Sequence, residues 1–213
     1  MRIIAIAHDL MDLASSCFGT FARLARENNR IEILMVDEKH AWPDGVINGI
    51  LAAAKWVGIE KVNFVYGFDF SGVTQANADS IRVHVAAFSP DIVFMPSWKS
   101  GNSKNQILAN TALVSCRGIG SIMMYERDPV EHSAKYVLYN HSIEDGLAKS
   151  NAILLCRAAL SDAPKIVVGD PSYPSSELYN DKTDGSGQFQ FPQPPEEYFE
   201  CHRMILVNDP IHD

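Results

Sequence analysis

The chain has 213 residues, 46% of them hydrophobic and 21% charged, which suits one soluble domain with a sizeable core. Its 26 Asp and Glu against 18 Lys and Arg leave a net charge of −8, which excludes broad phosphate-backbone binding and, with it, nucleic acid as the expected partner. Four widely spaced cysteines, Cys17, Cys116, Cys156 and Cys201, contain no CxxC pair and suggest neither a disulfide framework nor a zinc ribbon, and no apolar run approaches the ~20 residues of a membrane helix.

Met1-Arg2 leads straight into an apolar run without a signal-peptide pattern, so the cytoplasm is the expected compartment. Ile3–Ala7 is short and continuously apolar, as in a strand covered on both faces. A polar turn follows, then a helix from Thr20 to Glu27 that Asn28-Asn29 ends. Ile31–Val36 reads as a second strand, Trp42-Pro43-Asp44-Gly45 as a loop, and Val46–Val57 as a helix stopped by Gly58. Val62–Tyr66 is the third strand and Asn77–Phe88 a helix closed by Ser89-Pro90. Asp91–Pro96 is the fourth strand, followed by a polar loop over Ser97–Asn105 and a helix from Gln106 to about Cys116.

Strand and helix units of this length predict an α/β, Rossmann-like fold: a mostly parallel sheet with helices on both faces and ligands at the carboxyl ends of its strands. Weaker strands are expected at Ser121–Tyr125 and Lys135–Tyr139, then a helix from Ile143 to about Ala159 with Glu144 and Asp145 in its first turn. The expected organisation is a core over 1–168, an irregular Pro-, Gly- and Ser-rich excursion over 169–195, and a strand within 196–213 that returns to the core.

Chemistry concentrates just past the first strand. His8, Asp9 and Asp12 stand where open α/β folds place ligands and metals. The same residues suit a helix N-terminus, where carboxylates accept backbone N–H bonds, so capping and metal binding are both open readings. Cys156 has the same two faces, as a small core residue or a ligand. Trp98, just past the fourth strand, is placed to stack on a sugar ring, and Asn102 and Asn105 in the adjoining loop to touch a small ligand. No G-x-G-x-x-G follows the first strand, which leaves a dinucleotide role for Asp37 without support.

Several segments, in order, resemble the LmbE/PIG-L family of zinc-dependent N-deacetylases. Ser16-Cys17-Phe18-Gly19-Thr20 resembles the end of its first motif, and Ala52–Ile59 with Val62–Asp69 resembles its Ala-rich helix and strand ending in Gly-Phe-x-Asp. Pro90–Pro96 resembles its Pro-Asp-Val-Val strand, Lys149–Ile153 its late helix, and Glu197–Glu200 a late strand. The resemblance implies the family fold and, for an active chain, metal-dependent hydrolysis of an amide on an N-acetylated amino sugar or glycoconjugate.

The family's chemical positions are altered. Aligned without a gap, Asp9 stands at the family's histidine ligand, Met11 at its general base and Asp12 at its aspartate ligand; a one-residue insertion restores His8 as ligand. The third ligand falls at Cys156, and Asn102-Ser103-Lys104-Asn105 replaces the loop His-Pro-Asp-His. Two readings follow. In one, zinc is held by His8, Asp12 and Cys156, with Asp9 the remaining catalytic base, since a thioether at Met11 accepts no proton. In the other there is no metal, and a catalytically silent chain keeps the pocket for a glycan or nucleotide-sugar, or serves as a partner subunit. A small-molecule sugar or glycoconjugate is the expected partner, with no membrane and with homo-oligomerisation left open.

Overall fold

The structure is a computed structural model; it describes residues 1–38, 42–125, 136–160 and 198–206, the strands 136–141 and 198–206 by their backbone alone. The irregular excursion expected over 169–195 lies outside the described residues. The elements run β1 (Arg2–Ala7), α1 (Leu10–Arg26), β2 (Arg30–Asp37), α2 (Asp44–Trp56), β3 (Lys61–Tyr66), α3 (Gln75–Phe88), β4 (Ile92–Pro96), α4 (Ser103–Ser115), β5 (Ser121–Tyr125), β6 (Tyr136–His141), α5 (Ile143–Leu160) and β7 (Tyr198–Leu206).

One sheet holds all these strands in the order β3-β2-β1-β4-β5-β7-β6. The first five run parallel, and β7 then pairs antiparallel with both β5 and β6. This is the Rossmann-like, mostly parallel α/β architecture the sequence predicts. β1 shows why it has two covered faces. Ile3, Ala5 and Ala7 join the core cluster with residues of α1, α2 and α5, whereas Ile4 and Ile6 join the opposite cluster with residues of α3 and α4. Alternation along a strand sends neighbours to opposite faces, so a continuous apolar run requires helices on both.

The first helix departs from the sequence expectation: it begins at Leu10 rather than Thr20. Leu10, Leu13, Ala14, Cys17, Phe18, Phe21 and Leu24 are all buried and recur at the three- and four-residue steps of one helical face. Asp9, in extended conformation, caps the start, and Asn28 at φ 61° turns the chain after the end. The polar Asp12 and Ser15 between these positions disguise the stripe, and Ser15 returns its hydroxyl to the Met11 carbonyl at 2.7 Å. Among the described residues, no helix is long and apolar enough to cross a membrane.

Candidate functional site

From β1 the chain builds outward through β2 to β3, then crosses to β4 on the other side of β1. The loops after β1 and β4 therefore diverge and leave a crevice at the carboxyl ends of these strands, the topological switch point of the sheet. His8, Asp9 and the first turn of α1 form one side. The Ser97–Asn102 loop and the first turn of α4 form the other.

Asp9 is engaged as a cap: its Oδ1 accepts the Met11 N–H at 2.7 Å and the Asp12 N–H at 3.1 Å. Two of the unpaired donors at the helix start are thereby satisfied. Met11, one turn in, packs against the core cluster beneath α1. Asp12 faces across the crevice, where its Oδ2 accepts the Asn105 side-chain N–H at a long 3.4 Å, and the same Asn105 nitrogen donates to Ser100 Oγ at 3.2 Å. Asn102 caps α4, its Oδ1 accepting the Lys104 N–H at 2.9 Å. Trp98 is partly buried against the second core cluster.

His8 is the least satisfied member. Its Nε2 is buried without a hydrogen-bond partner. Burial pushes its pKa down; the Asp9 and Asp12 carboxylates oppose the shift and Lys104 adds to it. The ring meets the edge of Phe70 with centroids 5.4 Å apart, and Lys104 Nζ lies 5.2 Å from the Phe70 centroid while bonding Glu38 Oε1 at 2.9 Å. Phe70 is held by its own loop: buried Asn77 donates to the Asp69 carbonyl at 2.7 Å and accepts the Asp69 N–H at 3.2 Å. His8, Phe70, Lys104 and Glu38 thus join the loops after β1, β2 and β3 to the start of α4.

Sequence reasoning missed Phe70, Glu38 and Tyr125. The Tyr125 phenol is buried at the end of β5 and donates to the Ile6 carbonyl at 3.2 Å. Burial, then Cys17, Asp12 and Asp9, hold its pKa well above the ordinary tyrosine range, so the group stays protonated beside the carboxylates. The one sequence signal near Phe70 is the Gly67-Phe68-Asp69 turn at the end of β3; nothing in the sequence marks Tyr125 apart from its place at a strand end.

Cys156 lies elsewhere in the packing. It is fully buried on α5 within the cluster that includes Ala14, Cys17 and Ala53, and burial pushes its thiol up to about 12. Among the described residues no three His, Cys, Asp or Glu side chains gather into a group that could hold a metal ion. The crevice brings His8, Asp9, Asp12 and Asn105 together, with Asn102 on its rim, and the zinc set His8, Asp12 and Cys156 does not assemble there.

No protein-family model matches the sequence, and no curated protein matches it. Solved structures do match. The A40926 pseudoaglycone deacetylase Dbv21 superposes with a TM-score of 0.63 at 15% identity, over 98% of this chain and 99% of that one. The N,N'-diacetylchitobiose deacetylase of Pyrococcus horikoshii gives 0.59 at 14% identity, over 76% of this chain and 71% of that one. The 4-carboxy-2-hydroxymuconate hydratase GalB of Pseudomonas putida KT2440 gives 0.54 at 13% identity, over 74% and 78%. Deacetylases and a hydratase share this architecture, so the likeness speaks to fold and leaves the chemistry to the site. The chain has the fold of the LmbE/PIG-L-type deacetylases.

Proposed function

We propose that this chain is a sugar- or glycoconjugate-binding protein on a deacetylase fold that does not hydrolyse what it binds. The observation that carries this reading is the engagement of Asp9. With Met11 apolar, Asp9 is the only carboxylate left for the family's base, and it accepts two N–H bonds as the cap of α1. A base must lie within hydrogen-bond reach of the proton it takes, and one held on backbone donors is poorly suited to the task. The binding half of the proposal rests on the crevice: the Asp12 and Asn105 side chains meet there beside the His8 ring, a combination suited to hydroxyl groups, with Trp98 in the adjoining loop the candidate for a sugar face.

A second reading, zinc-dependent deacetylation, is favoured by the unpartnered Nε2 of His8 near Asp12. The fold family implies zinc, and His and Asp are zinc ligand types, but a site needs at least three protein ligands. Cys156 is enclosed in the core, and no further ligand joins these two among the described residues, so the residues do not fit a complete zinc site.

Both readings are tested by equilibrium binding of N-acetylglucosamine and its β-linked dimer beside an acetate-release assay with added zinc. The expected result is saturable binding, weakened at least tenfold in Asn105→Ala, with acetate release at background. Acetate release by the unmodified chain would establish the hydrolase instead, and absence of binding to either sugar would remove the carbohydrate assignment.

A further inference from the structure

The packing around His8 leaves one polar atom unsatisfied. Its Nε2 is buried without a hydrogen-bond partner, and a buried polar atom left in that state raises the free energy of the folded chain. The cover beside it is a series of side chains from separate segments. Phe70, from the loop after β3, sets its ring against the imidazole with centroids 5.4 Å apart and planes at 72°. Lys104, in the first turn of α4, holds its Nζ 5.2 Å from the centroid of that Phe70 ring. Glu38, just past β2, accepts a hydrogen bond from the same Nζ at 2.9 Å.

The members of this series are held with unequal firmness. The backbone on either side of Phe70 is pinned, since buried Asn77 donates to the Asp69 and Gly72 carbonyls at 2.7 and 3.4 Å and accepts the Asp69 N–H at 3.2 Å. Movement there belongs to the Phe70 side chain. In the covered position its ring packs on buried Phe68, with centroids 4.8 Å apart. The Lys104–Glu38 pair is the weak link, because its side chains are 42% and 54% exposed, and an ion pair so open to water contributes little and is screened by salt.

We propose that Phe70 is a side-chain gate on His8, latched by Lys104 and Glu38, and that a polar ligand group in the crevice reaches Nε2 only when the latch lets the ring swing aside. The closed position keeps the aromatic and cation–π contacts but leaves Nε2 without a partner, whereas the open one gives up those contacts and lets water or a ligand bond the nitrogen. Opposed terms of this kind bring the two positions close in free energy. A ligand that bonds Nε2 favours the open position through that bond, which the closed one cannot make, so Phe70 sets which groups gain entry.

Diethylpyrocarbonate labelling of the full chain at neutral pH, read residue by residue by mass spectrometry, tests the gate. It uses no sugar, so its failure is separate from failure of the carbohydrate reading. The reagent acylates an accessible, unprotonated imidazole nitrogen, and His84 on α3 serves as the internal reference. His8 is expected to label more slowly than His84 in the wild type. Phe70→Ala should speed His8 by about tenfold, the upper worth of an aromatic pair, and Lys104→Met and Glu38→Gln each by about two- to fivefold. Raising sodium chloride from about 20 mM to about 500 mM should speed the wild type and leave Lys104→Met unchanged. A His8 that labels as fast as His84 in the wild type overturns the proposal, as does protection that persists in a folded Phe70→Ala. Where Phe70→Ala fails to fold, the latch variants and the salt dependence decide, and no change in either overturns the gate.

Discussion

Burial against Phe70 holds the His8 ring below its ordinary pKa of 6.5, and this has a consequence for stability. Between the folded and unfolded values the unfolded chain binds more protons, so stability rises with pH across that window. The contribution is complete above about pH 6.5, falls as pH drops through the folded pKa, and is flat below it. His8→Phe, which keeps a ring on Phe70 and removes the titration, should reduce the pH dependence of the urea midpoint between pH 5 and 7. An unchanged dependence would mean that His8 is no more buried in the folded chain than in the unfolded one. The cysteines give a second residue-scale test. Cys116 and Cys156 are both raised to about 12 by burial, so neither offers a thiolate at neutral pH. Alkylation followed by mass spectrometry should find both unmodified in the native chain and modified only as fast as it unfolds.

Among the elements, α1 matters most to the site because its first turn carries Asp12 into the crevice while Met11 packs against the core beneath it. Asp9→Ala removes the cap of that turn and should cost about 1 kcal/mol in unfolding experiments, whereas Asp9→Asn, a side chain that caps equally well, should cost a few tenths. Equal losses in both variants would show that the Asp9 charge, rather than its hydrogen bonds, stabilises the helix. The packing of α2 on α5 sets a tighter limit. A β-carbon added at Gly49 would lie 2.2 Å from the Ala159 β-carbon and 3.3 Å from its α-carbon, and the neighbouring Ile50 and Ala53 of α2 and Leu155 of α5 are buried, so the two helices have little room to part. Gly49→Ala should therefore destabilise the chain by about 1–3 kcal/mol, against the gain that alanine ordinarily brings to a helix interior. A more stable variant in chemical denaturation would contradict this packing.

For the whole molecule, the position of β7 is decisive. It pairs with β5 on one side and β6 on the other, so the last strand among the described residues is an interior strand of the sheet. The composition of 169–195 marks it as the first place a protease cuts. A chain nicked there should still elute as one species under native conditions and separate into two fragments only when denatured, because β7 is hydrogen-bonded along both edges. A C-terminal fragment that leaves on gel filtration would show that β7 is held more weakly than its ladder implies.

Read alone, the sequence determined most of the framework. Continuous apolar runs at Ile3–Ala7 and Ile92–Pro96, set between helix-length segments, require a parallel sheet covered on both faces, since no other arrangement keeps such runs from water. It located His8, Asp9, Asp12 and Asn105 at one end of that sheet for the same reason, as each follows the carboxyl end of a strand. It did not determine where α1 begins, because two polar residues hid an apolar stripe that shows only once its buried face is seen. Nor could it decide between the two uses of Asp9 and Cys156. A carboxylate at a helix start is the same residue whether it caps or catalyses, and a cysteine on an apolar face is the same whether it packs or ligates. Tertiary structure adds that two backbone N–H groups meet Asp9 Oδ1 and that Cys156 is fully buried in the core cluster, and it brought Phe70 and Tyr125 to the crevice from strand ends far apart in sequence.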